Sequence, residues 1–330
     1  MTSVLTTQRD DQHYIPKFYL KGFAGAKQKL YVYEKGKNYR ESKPKDEANH
    51  PDYYTHSESG TRDTTAEDSL QVVESRVAPI IRKLASPQFQ LTPKATGELY
   101  FFIAVMFART PAWRDNLDRM AGEIAKQQHL KIARNKEKFL ETCSSYEAAT
   151  GKSLGDWESL RQAALSGKYE IRQVSVGFNL GAMFGSALTV LEELVYFGCQ
   201  RWYAPQGSFF FTSDFPVTTL QPDGNGQAAV GVGFALAAEV LFPVNKRLCL
   251  RLIRGKPMTV DEISRERVEA INRLIMATTS RHLYGPEGTR RNSRLFDQYG
   301  CKIRAGETAF LTSEQLREYQ RQEGREFRML

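Results

Sequence analysis

The chain has 330 residues, of which 41% are hydrophobic and 25% charged, and its formal net charge is +8. These proportions are ordinary for a soluble globular protein, no apolar run approaches the roughly 20 residues of a membrane span, and residues 1–5 lack the basic and apolar segments of a secretory signal. The four cysteines lie far apart without a CxxC pair, so neither a zinc site nor a disulfide framework is indicated, and free thiols in a cytoplasmic protein are expected.

The segment at residues 12–23 places a histidine, two lysines, four aromatic rings and a proline within twelve positions. Pro16 suits the first position of a helix, because a missing N–H costs nothing there. His13 then precedes a helix N-terminus, whose positive dipole end lowers an imidazole pKa and favours anions. A neutral histidine can act as a base or bind a metal. The alternative is that His13 caps the helix while the aromatic rings anchor the N-terminus.

Nine basic and two acidic residues between positions 12 and 45, here called the basic strip, carry a balance of +7. Tyr31, Tyr33 and Tyr39 lie among the lysines, and basic side chains mixed with aromatic rings suit a phosphate backbone with stacked bases. A solvated face that keeps the protein soluble is the alternative. The candidate nucleic-acid contacts are Lys21, Lys35, Lys37, Arg40 and Lys43.

Helices are predicted for most of the chain between residues 64 and 197. A capping box at residues 64–67 opens a helix that runs to about residue 84. Thr92 and Pro93 open a second helix to residue 108, which is apolar nearly all round and is therefore placed at the centre of the core. Pro111 breaks or kinks the chain after it. Further helices are predicted to about residue 139, at 153–166 and at 180–197.

Strands are predicted on both sides of this helical part. Residues 30–33 alternate in polarity, and four runs after residue 199 are rich in strand-forming residues: 200–203, 208–212, 238–244 and 248–253. Residues 35–63 are predicted to be a long polar loop. A helix is predicted over 261–280 and a basic loop over 281–304, and residues 312–315 cap a final helix.

This order of elements predicts an α+β fold, mostly helical, with a central antiparallel sheet formed by the N-terminal strand and the strands between residues 199 and 253. We expect a single domain over residues 1–330, with a frayed N-terminus at 1–11 and a basic extension at 281–330.

Three kinds of polar residue are candidates for chemistry. Asp214 follows an apolar strand and can ligate a metal or orient a base, or it is a turn residue that bonds the backbone after it. Arg109 ends the apolar helix and can clamp a phosphate, or it belongs to a structural ion pair. Glu67 and Glu74 lie seven residues apart on one helix face, either as metal ligands or as surface residues or partners of Arg76 or Arg82.

Four stretches in the same order resemble the bacterial domain-of-unknown-function family 4238. They read Gln-His-Tyr-Ile-Pro-Lys-Phe-Tyr-Leu-Lys-Gly-Phe at 12–23, Arg-Thr-Pro at 109–111, Phe-Thr-Ser-Asp-Phe-Pro-Val at 211–217 and Leu-Phe-Pro-Val-Asn at 241–245. The last departs from the usual Pro-Leu of the family at Pro243-Val244. The resemblance spans residue 12 to about 280 and implies a single folded unit of bacterial or phage origin. It places His13, Arg109 and Asp214 within family motifs but supplies no reaction.

Two function hypotheses follow. The first is a metal-dependent phosphodiester hydrolase, a nuclease, with His13 as base or ligand and Arg109 and Lys17 stabilising phosphate charge. Asp214 with Glu67 or Glu74 would hold Mg²⁺ or Mn²⁺. The second is a non-catalytic nucleic-acid-binding or sensor module, in which the motif residues determine the fold. A role in defence against phage is compatible with a bacterial source, although no residue indicates it.

Overall fold

The computed structural model of the protein describes residues 11–58, 61–169, 176–222, 228–302 and 309–310. Its α-helices are α1 (Lys17–Lys21), α2 (Thr65–Lys83), α3 (Pro93–Ala108), α4 (Pro111–Arg134), α5 (Lys136–Thr150), α6 (Trp157–Ser166), α7 (Val176–Leu194), α8 (Arg265–Thr278) and α9 (Arg290–Tyr299). Its strands are β1 (Asp11–His13), β2 (Leu30–Glu34), β3 (Arg40–Ser42), β4 (Asn49–Pro51), β5 (His56–Glu58), β6 (Thr61–Asp63), β7 (Phe197–Tyr203), β8 (Thr212–Ser213), β9 (Thr218–Pro222), β10 (Ala228–Val230), β11 (Glu239–Asn245), β12 (Leu248–Arg254), β13 (Thr259–Glu262), β14 (His282–Gly285) and β15 (Ala309–Phe310). Helices and mainly antiparallel strands occupy separate stretches of the chain, which confirms the α+β fold class.

The chain divides into two compact units. One takes the residues up to 113 and from 180 onward, and it contains the β-strands of the described residues. The other takes residues 114–179 and is helical, with a small apolar cluster of Ala133, Phe139, Cys143 and Ala164. The single domain predicted over the whole chain stays a prediction. Every candidate site residue lies in the first unit.

A seven-stranded sheet has the order β13-β7-β12-β11-β9-β10-β15. Its pairs are antiparallel except for β13 and β7, which run parallel. In β11, Val240, Phe242 and Val244 pack into one apolar cluster while Leu241 packs into a second. The two faces of the sheet therefore belong to two different cores. This explains why β11 and β12 are apolar at consecutive positions rather than alternately.

The N-terminal strand corrects one part of the predicted sheet. Strand β2 lies in a four-stranded sheet of order β3-β2-β14-β8, which it shares with β8, whereas β7, β9, β10, β11 and β12 lie in the seven-stranded sheet. Its partner β14 falls in the segment that we predicted to be a basic loop. Tyr33 and Leu283 pack into one core while Val32 and Tyr284 pack into the other. Burial on both faces removes the polarity alternation that would have identified β14 from sequence.

Helix α3 lies in the larger core, as its sequence predicts. Phe102, Val105 and Met106 are at most 1% exposed, which confirms the predicted burial. Thr92 caps the helix by accepting a hydrogen bond from the amide of Ala95. Arg109 is the C-cap, and α4 begins at Pro111, so the predicted break falls where the proline requires it.

The two predicted loops contain short elements. Strands β3, β4, β5 and β6 lie in the predicted loop over 35–63, and β14 and α9 lie in the predicted loop over 281–304. Three-residue polar strands carry no measurable periodicity, so they escape sequence analysis. The predicted final helix after residue 312 lies outside the described residues, as do residues 1–10 of the segment 1–11 that was predicted to be frayed, whereas Asp11 begins β1. No described helix combines the length and apolar character that crossing a membrane requires.

Candidate functional site

Gln12 holds the N-terminal strand against the rest of the first unit. Strand β1 pairs with β4, and the Gln12 side chain is 1% exposed. Its Nε2 donates to Thr55 Oγ1 at 2.8 Å and to Glu67 Oε2 at 2.5 Å, and its Oε1 accepts from the Tyr54 amide at 2.5 Å. The carboxamide thus joins β1 to the turn at residues 52–55 and to α2, a role that the sequence did not reveal.

His13 lies half-buried beside the Lys45 carbonyl oxygen, 3.1 Å from its Nε2. Burial lowers the pKa of His13 below its ordinary value, and the nearby Lys17 charge lowers it further, against the Lys45 carbonyl and Glu74, which raise it. The net effect favours the neutral ring. Donation from Nε2 to the carbonyl leaves Nδ1 without a proton in that neutral ring. Burial rather than a helix dipole is thus the main cause that favours the neutral form, and a role for His13 as base or ligand stays a prediction.

Arg109 is the centre of a buried hydrogen-bond network. Its side chain is 2% exposed. It donates to Glu74 Oε1 at 2.8 Å, to the Tyr54 hydroxyl at 3.0 Å and to the His13 carbonyl oxygen at 2.7 Å. Burial disfavours the charge, but Tyr54 and Glu74 outweigh it and raise the pKa of Arg109. The guanidinium therefore ties β1 to α2 and α3, which corresponds to the structural alternative for this residue.

The predicted metal ligands do not fit a shared cation site. Glu67 is occupied by Gln12, Glu74 is occupied by Arg109, and Asp214 binds backbone amides elsewhere. Among the residues that the structure describes, no group of three or more histidine, cysteine, aspartate or glutamate side chains could hold a metal ion. A divalent cation such as Mg²⁺ needs several oxygen ligands that converge. No step of a mechanism is therefore assigned to a metal.

Asp214 joins the end of β8 to the start of β14. Its carboxylate is nearly fully buried and accepts three amide hydrogen bonds, from Ser280 at 3.0 Å, Arg281 at 2.8 Å and His282 at 2.9 Å. Burial raises the pKa of Asp214 to about 6, against the opposing effect of these amides. The alternative prediction was a turn residue that bonds the backbone directly after it. Asp214 does bond backbone amides, but these belong to residues 280–282, which are distant in sequence.

The first and third family motifs are in contact, since the Tyr19 hydroxyl lies 2.8 Å from Thr212 Oγ1, and Tyr14 is an electrostatic neighbour of Asp214. Burial and the Asp214 charge both raise the pKa of the Tyr14 hydroxyl. Tyr284 is 0% exposed, and its hydroxyl lies beside that of Tyr14, where a hydrogen bond between the two opposes the rise in the pKa of Tyr14. Tyr14 and Asp214 are also its main electrostatic neighbours. For His13 these neighbours are Lys17, Glu74 and Arg109, so a common site for His13 and Asp214 stays a prediction.

The residues around Tyr14 were missed because their partners are far along the chain. His282 and Tyr284 lie in β14, which sequence analysis interpreted as loop. Glu47 is buried and accepts from Arg40 and Ser42. Tyr14 itself could have been considered as a candidate, because it lies within residues 12–23, which contain four aromatic rings.

Two histidines make stability depend on pH. Burial lowers the pKa of both His13 and His282, so each binds its proton more weakly in the folded protein than in the unfolded chain. Their contribution to the free energy of unfolding is present above the ordinary histidine pKa and is lost as pH falls. We expect the free energy of unfolding of the His13→Gln/His282→Gln protein to fall less than that of the wild type between pH 7.5 and 5.

Denaturant unfolding at several pH values measures this difference. The raised pKa of Asp214 acts in the opposite sense, because its contribution is lost as pH rises through about 6. It is common to wild type and variant and cancels in the comparison. His129→Gln, in the second unit, is the control. Parallel pH profiles for wild type and double variant would contradict the assignment.

The basic strip is exposed, but about half of it is already paired. Lys37 pairs with Glu34 at 2.9 Å, Arg40 pairs with Glu47, and Lys29 pairs with Glu41. Lys35 donates to the Gly300 carbonyl oxygen at 3.1 Å. The remaining lysines have no carboxylate partner in the described part of the chain: Lys17, Lys21, Lys27, Lys43 and Lys45. Of the five predicted nucleic-acid contacts, Lys21 and Lys43 therefore remain the most available.

The tyrosines of the strip are less exposed than its lysines. Tyr33 is 1% exposed, and its hydroxyl donates to the Glu287 carbonyl oxygen. Tyr31 and Tyr39 pack against each other with ring centroids 6.0 Å apart. Tyr33 is therefore inaccessible to a base, Tyr31 and Tyr39 are half-buried, and the exposed part of the strip is its charge.

Comparison with known proteins matches the family model described as a protein of unknown function, DUF4238, to residues 11–288. The chain belongs to this family. The match confirms the predicted resemblance, and it includes Gln12, His13, Arg109 and Asp214 together with the strand β14. Neither the curated proteins nor the solved structures contained a match. The anchoring contacts of this DUF4238 member thus lie within the part of the chain that the family model covers.

Proposed function

We propose that this protein binds nucleic acid without cleaving it. The proposal rests on a difference between the acidic and the basic side chains. The candidate acids Glu67, Glu74 and Asp214 are committed to hydrogen bonds within the chain. Five lysines of the basic strip, by contrast, have no carboxylate partner in the described part of the chain: Lys17, Lys21, Lys27, Lys43 and Lys45.

The arrangement of these lysines suits a phosphate backbone. Lys17 and Lys21 lie four residues apart on α1 and therefore on one face. Lys45 and Lys17 both lie near His13, because the Lys45 carbonyl oxygen contacts the His13 ring and the Lys17 charge lowers the pKa of that ring. The lysines at positions 17, 21, 43 and 45 are called the cationic face. Each phosphate that they neutralise would release counterions, which is the main source of affinity in sequence-independent binding.

Metal-dependent phosphodiester hydrolysis with Mg²⁺ or Mn²⁺ is the competing proposal. It would require Glu67, Glu74 or Asp214 to leave its present partner. The neutral His13 ring with an unprotonated Nδ1 is the feature that supports it. A cytoplasmic location, which the free cysteines favour, belongs to either proposal.

Replacing Lys17, Lys21 and Lys43 together by glutamine is expected to weaken binding and to flatten its salt dependence. The slope of log affinity against log salt should decrease in magnitude by roughly two to three units, because each lost contact removes between 0.7 and 1. Fluorescence anisotropy with labelled single- and double-stranded oligonucleotides, titrated at several salt concentrations, measures the slope.

The matched control removes the same three charges elsewhere. Lys83, Lys94 and Lys256 are exposed and lie outside the strip, so their replacement by glutamine lowers the net charge equally. We expect it to leave the slope within experimental error of wild type. Equal effects of the two triple variants would show that only net charge matters, and absence of binding at low salt would refute the proposed function.

A further inference from the structure

Two adjoining cavities flank the segment at residues 207–209. The smaller one, about 280 Å³, lies between α8 and α9. The larger one, about 590 Å³, is bounded by residues 25–31, 246–247 and 286–288. Both are lined by Gly207, Ser208, Phe209 and Glu287. The pair, called the double cavity, is therefore one depression with a shared wall.

The lining of the double cavity is strongly basic. Lys27, Lys29, Lys246 and Arg247 line the larger part, and Arg265, Arg273 and Arg291 line the smaller one. The acidic side chains in the lining are Glu269 and Glu287. Seven basic and two acidic residues leave a balance of +5. Lys27 and Lys29 belong to the basic strip, so the double cavity is continuous with it.

Two of these cations are held in place without being neutralised. Lys246 Nζ donates to the Ala24 carbonyl oxygen at 2.8 Å. Arg247 Nη1 donates to the carbonyl oxygens of Pro205 at 2.6 Å and Ser208 at 3.3 Å. Neither has a carboxylate partner in the described ranges. Carbonyls orient these side chains but leave their formal charges, and each retains unused donors for an anion.

Phe209 offers a supported aromatic surface between the two halves. Its ring lies 5.1 Å from that of Phe211 in an edge-on arrangement. Asn272 fixes the backbone of both, since it donates to the Phe209 carbonyl oxygen and accepts from the Phe211 amide. Phe209 is half-buried and lines both cavities. The adjacent Ser208 Oγ is buried and has no hydrogen-bond partner among the described residues, so a polar group of a ligand could satisfy it.

We infer that the double cavity binds a short segment of single-stranded nucleic acid, with a base stacked on Phe209 and phosphates at Lys246, Arg247 and Lys27. The inference rests on the proposed function and specifies its substrate class. Aromatic stacking combined with a basic groove is the recognition mode of single-strand binders. A base inside a duplex is stacked on its neighbours and cannot reach the ring.

The test replaces Phe209 by leucine, which keeps an apolar side chain but removes the ring. Stacking contributes about 1–3 kcal/mol per base, so we expect roughly 5- to 150-fold weaker binding of a single strand. The salt slope should not change, because no charge is lost. Anisotropy with a labelled strand of roughly 12 nucleotides, within the site sizes of such proteins, is the measurement.

Phe209→Tyr should bind as wild type, and Phe89→Leu is a control at a half-buried ring elsewhere. A second variant guards against misfolding of Phe209→Leu. Lys27→Gln/Arg265→Gln changes two exposed residues, one in each half, and should reduce the slope for single strands by roughly 1.4. The inference would be overturned if both variants bound the single strand with wild-type affinity. It would also be overturned if an unlabelled duplex competed for the protein as well as an unlabelled single strand does.

The outcomes separate the two proposals. If Phe209→Leu and Lys27→Gln/Arg265→Gln bind like wild type while the cationic-face variant binds weakly, the proposed function stands and the double cavity is not the site. If the wild type binds no nucleic acid at low salt, the proposed function fails, and the inference fails with it.

Discussion

Replacing Arg109 by methionine is expected to lower the free energy of unfolding by about 3–5 kcal/mol, the cost of removing one partner of a buried ion pair. The substitution leaves Glu74, the Tyr54 hydroxyl and the His13 carbonyl oxygen without their donor. Methionine has a similar length, so the loss comes from the network more than from a void. Chemical denaturation followed by far-ultraviolet circular dichroism measures the change.

Arg76 provides the matched control for Arg109. It also forms an ion pair, with Glu98 at 3.8 Å, but its side chain is 63% exposed. Arg76→Met should change stability by less than about 0.5 kcal/mol, as is usual at exposed pairs. The folded fraction of Arg109→Met should still bind nucleic acid, because Arg109 does not reach the surface. A stable Arg109→Met protein that has lost binding would instead assign Arg109 to ligand recognition.

Replacing Asp214 by asparagine is expected to destabilise the protein by about 2–4 kcal/mol, which combines lost charge-assisted hydrogen bonds with the cost of unsatisfied buried donors. The carboxylate uses both oxygens for three amides. An asparagine has one oxygen, and in either orientation its amino group meets at least one amide N–H. Hydrogen exchange should show faster opening at residues 280–282 than at α3.

Asp261→Asn is the control for this substitution, because Asp261 is exposed on the edge strand β13. Its effect should stay below about 0.5 kcal/mol. If Asp214→Asn unfolds like wild type, the anchor interpretation is wrong. A variant that remains stable but abolishes a measured cleavage activity would assign Asp214 to catalysis.

The parts of the fold that were predictable are those with local signals. Helix α3 was recognisable because residues 99–108 are apolar on all sides and are bounded by Thr92-Pro93 and Pro111. Strands β11 and β12 were recognisable from their apolar runs. In each case the decisive information lies within about 20 neighbouring residues, which is the range of periodicity and capping signals.

The contacts that define the candidate site could not be predicted, because their partners are distant in sequence. Gln12 bonds Thr55 and Glu67, and Arg109 bonds residues 13, 54 and 74. Asp214 bonds the amides of residues 280–282. The sequence indicates that a buried polar residue needs partners but not which segment supplies them. The sequence therefore suggested a metal site for Glu67, Glu74 and Asp214, which stays a prediction, and it did not indicate their hydrogen bonds to Gln12, Arg109 and residues 280–282.

The double cavity could not be predicted either, because its lining residues are distant in sequence. Lys27 and Lys29 were part of the predicted basic strip, but Lys246, Arg247 and Phe209 join them only through the pairing of distant strands. The interleaved tyrosines suggested base stacking, yet Tyr33 packs into the core because β2 is covered on both faces. The proposed stacking is assigned instead to Phe209, from a segment predicted as a strand.

One measurement tests the account most directly. A labelled single strand is incubated with the wild-type protein and either Mg²⁺ or Mn²⁺, and both the bound fraction and the length of the strand are followed across a salt series. We predict binding that weakens steeply with salt and a strand that remains intact with either metal. Cleavage that is lost in a folded His13→Ala variant would contradict the account and would favour the metal-dependent nuclease.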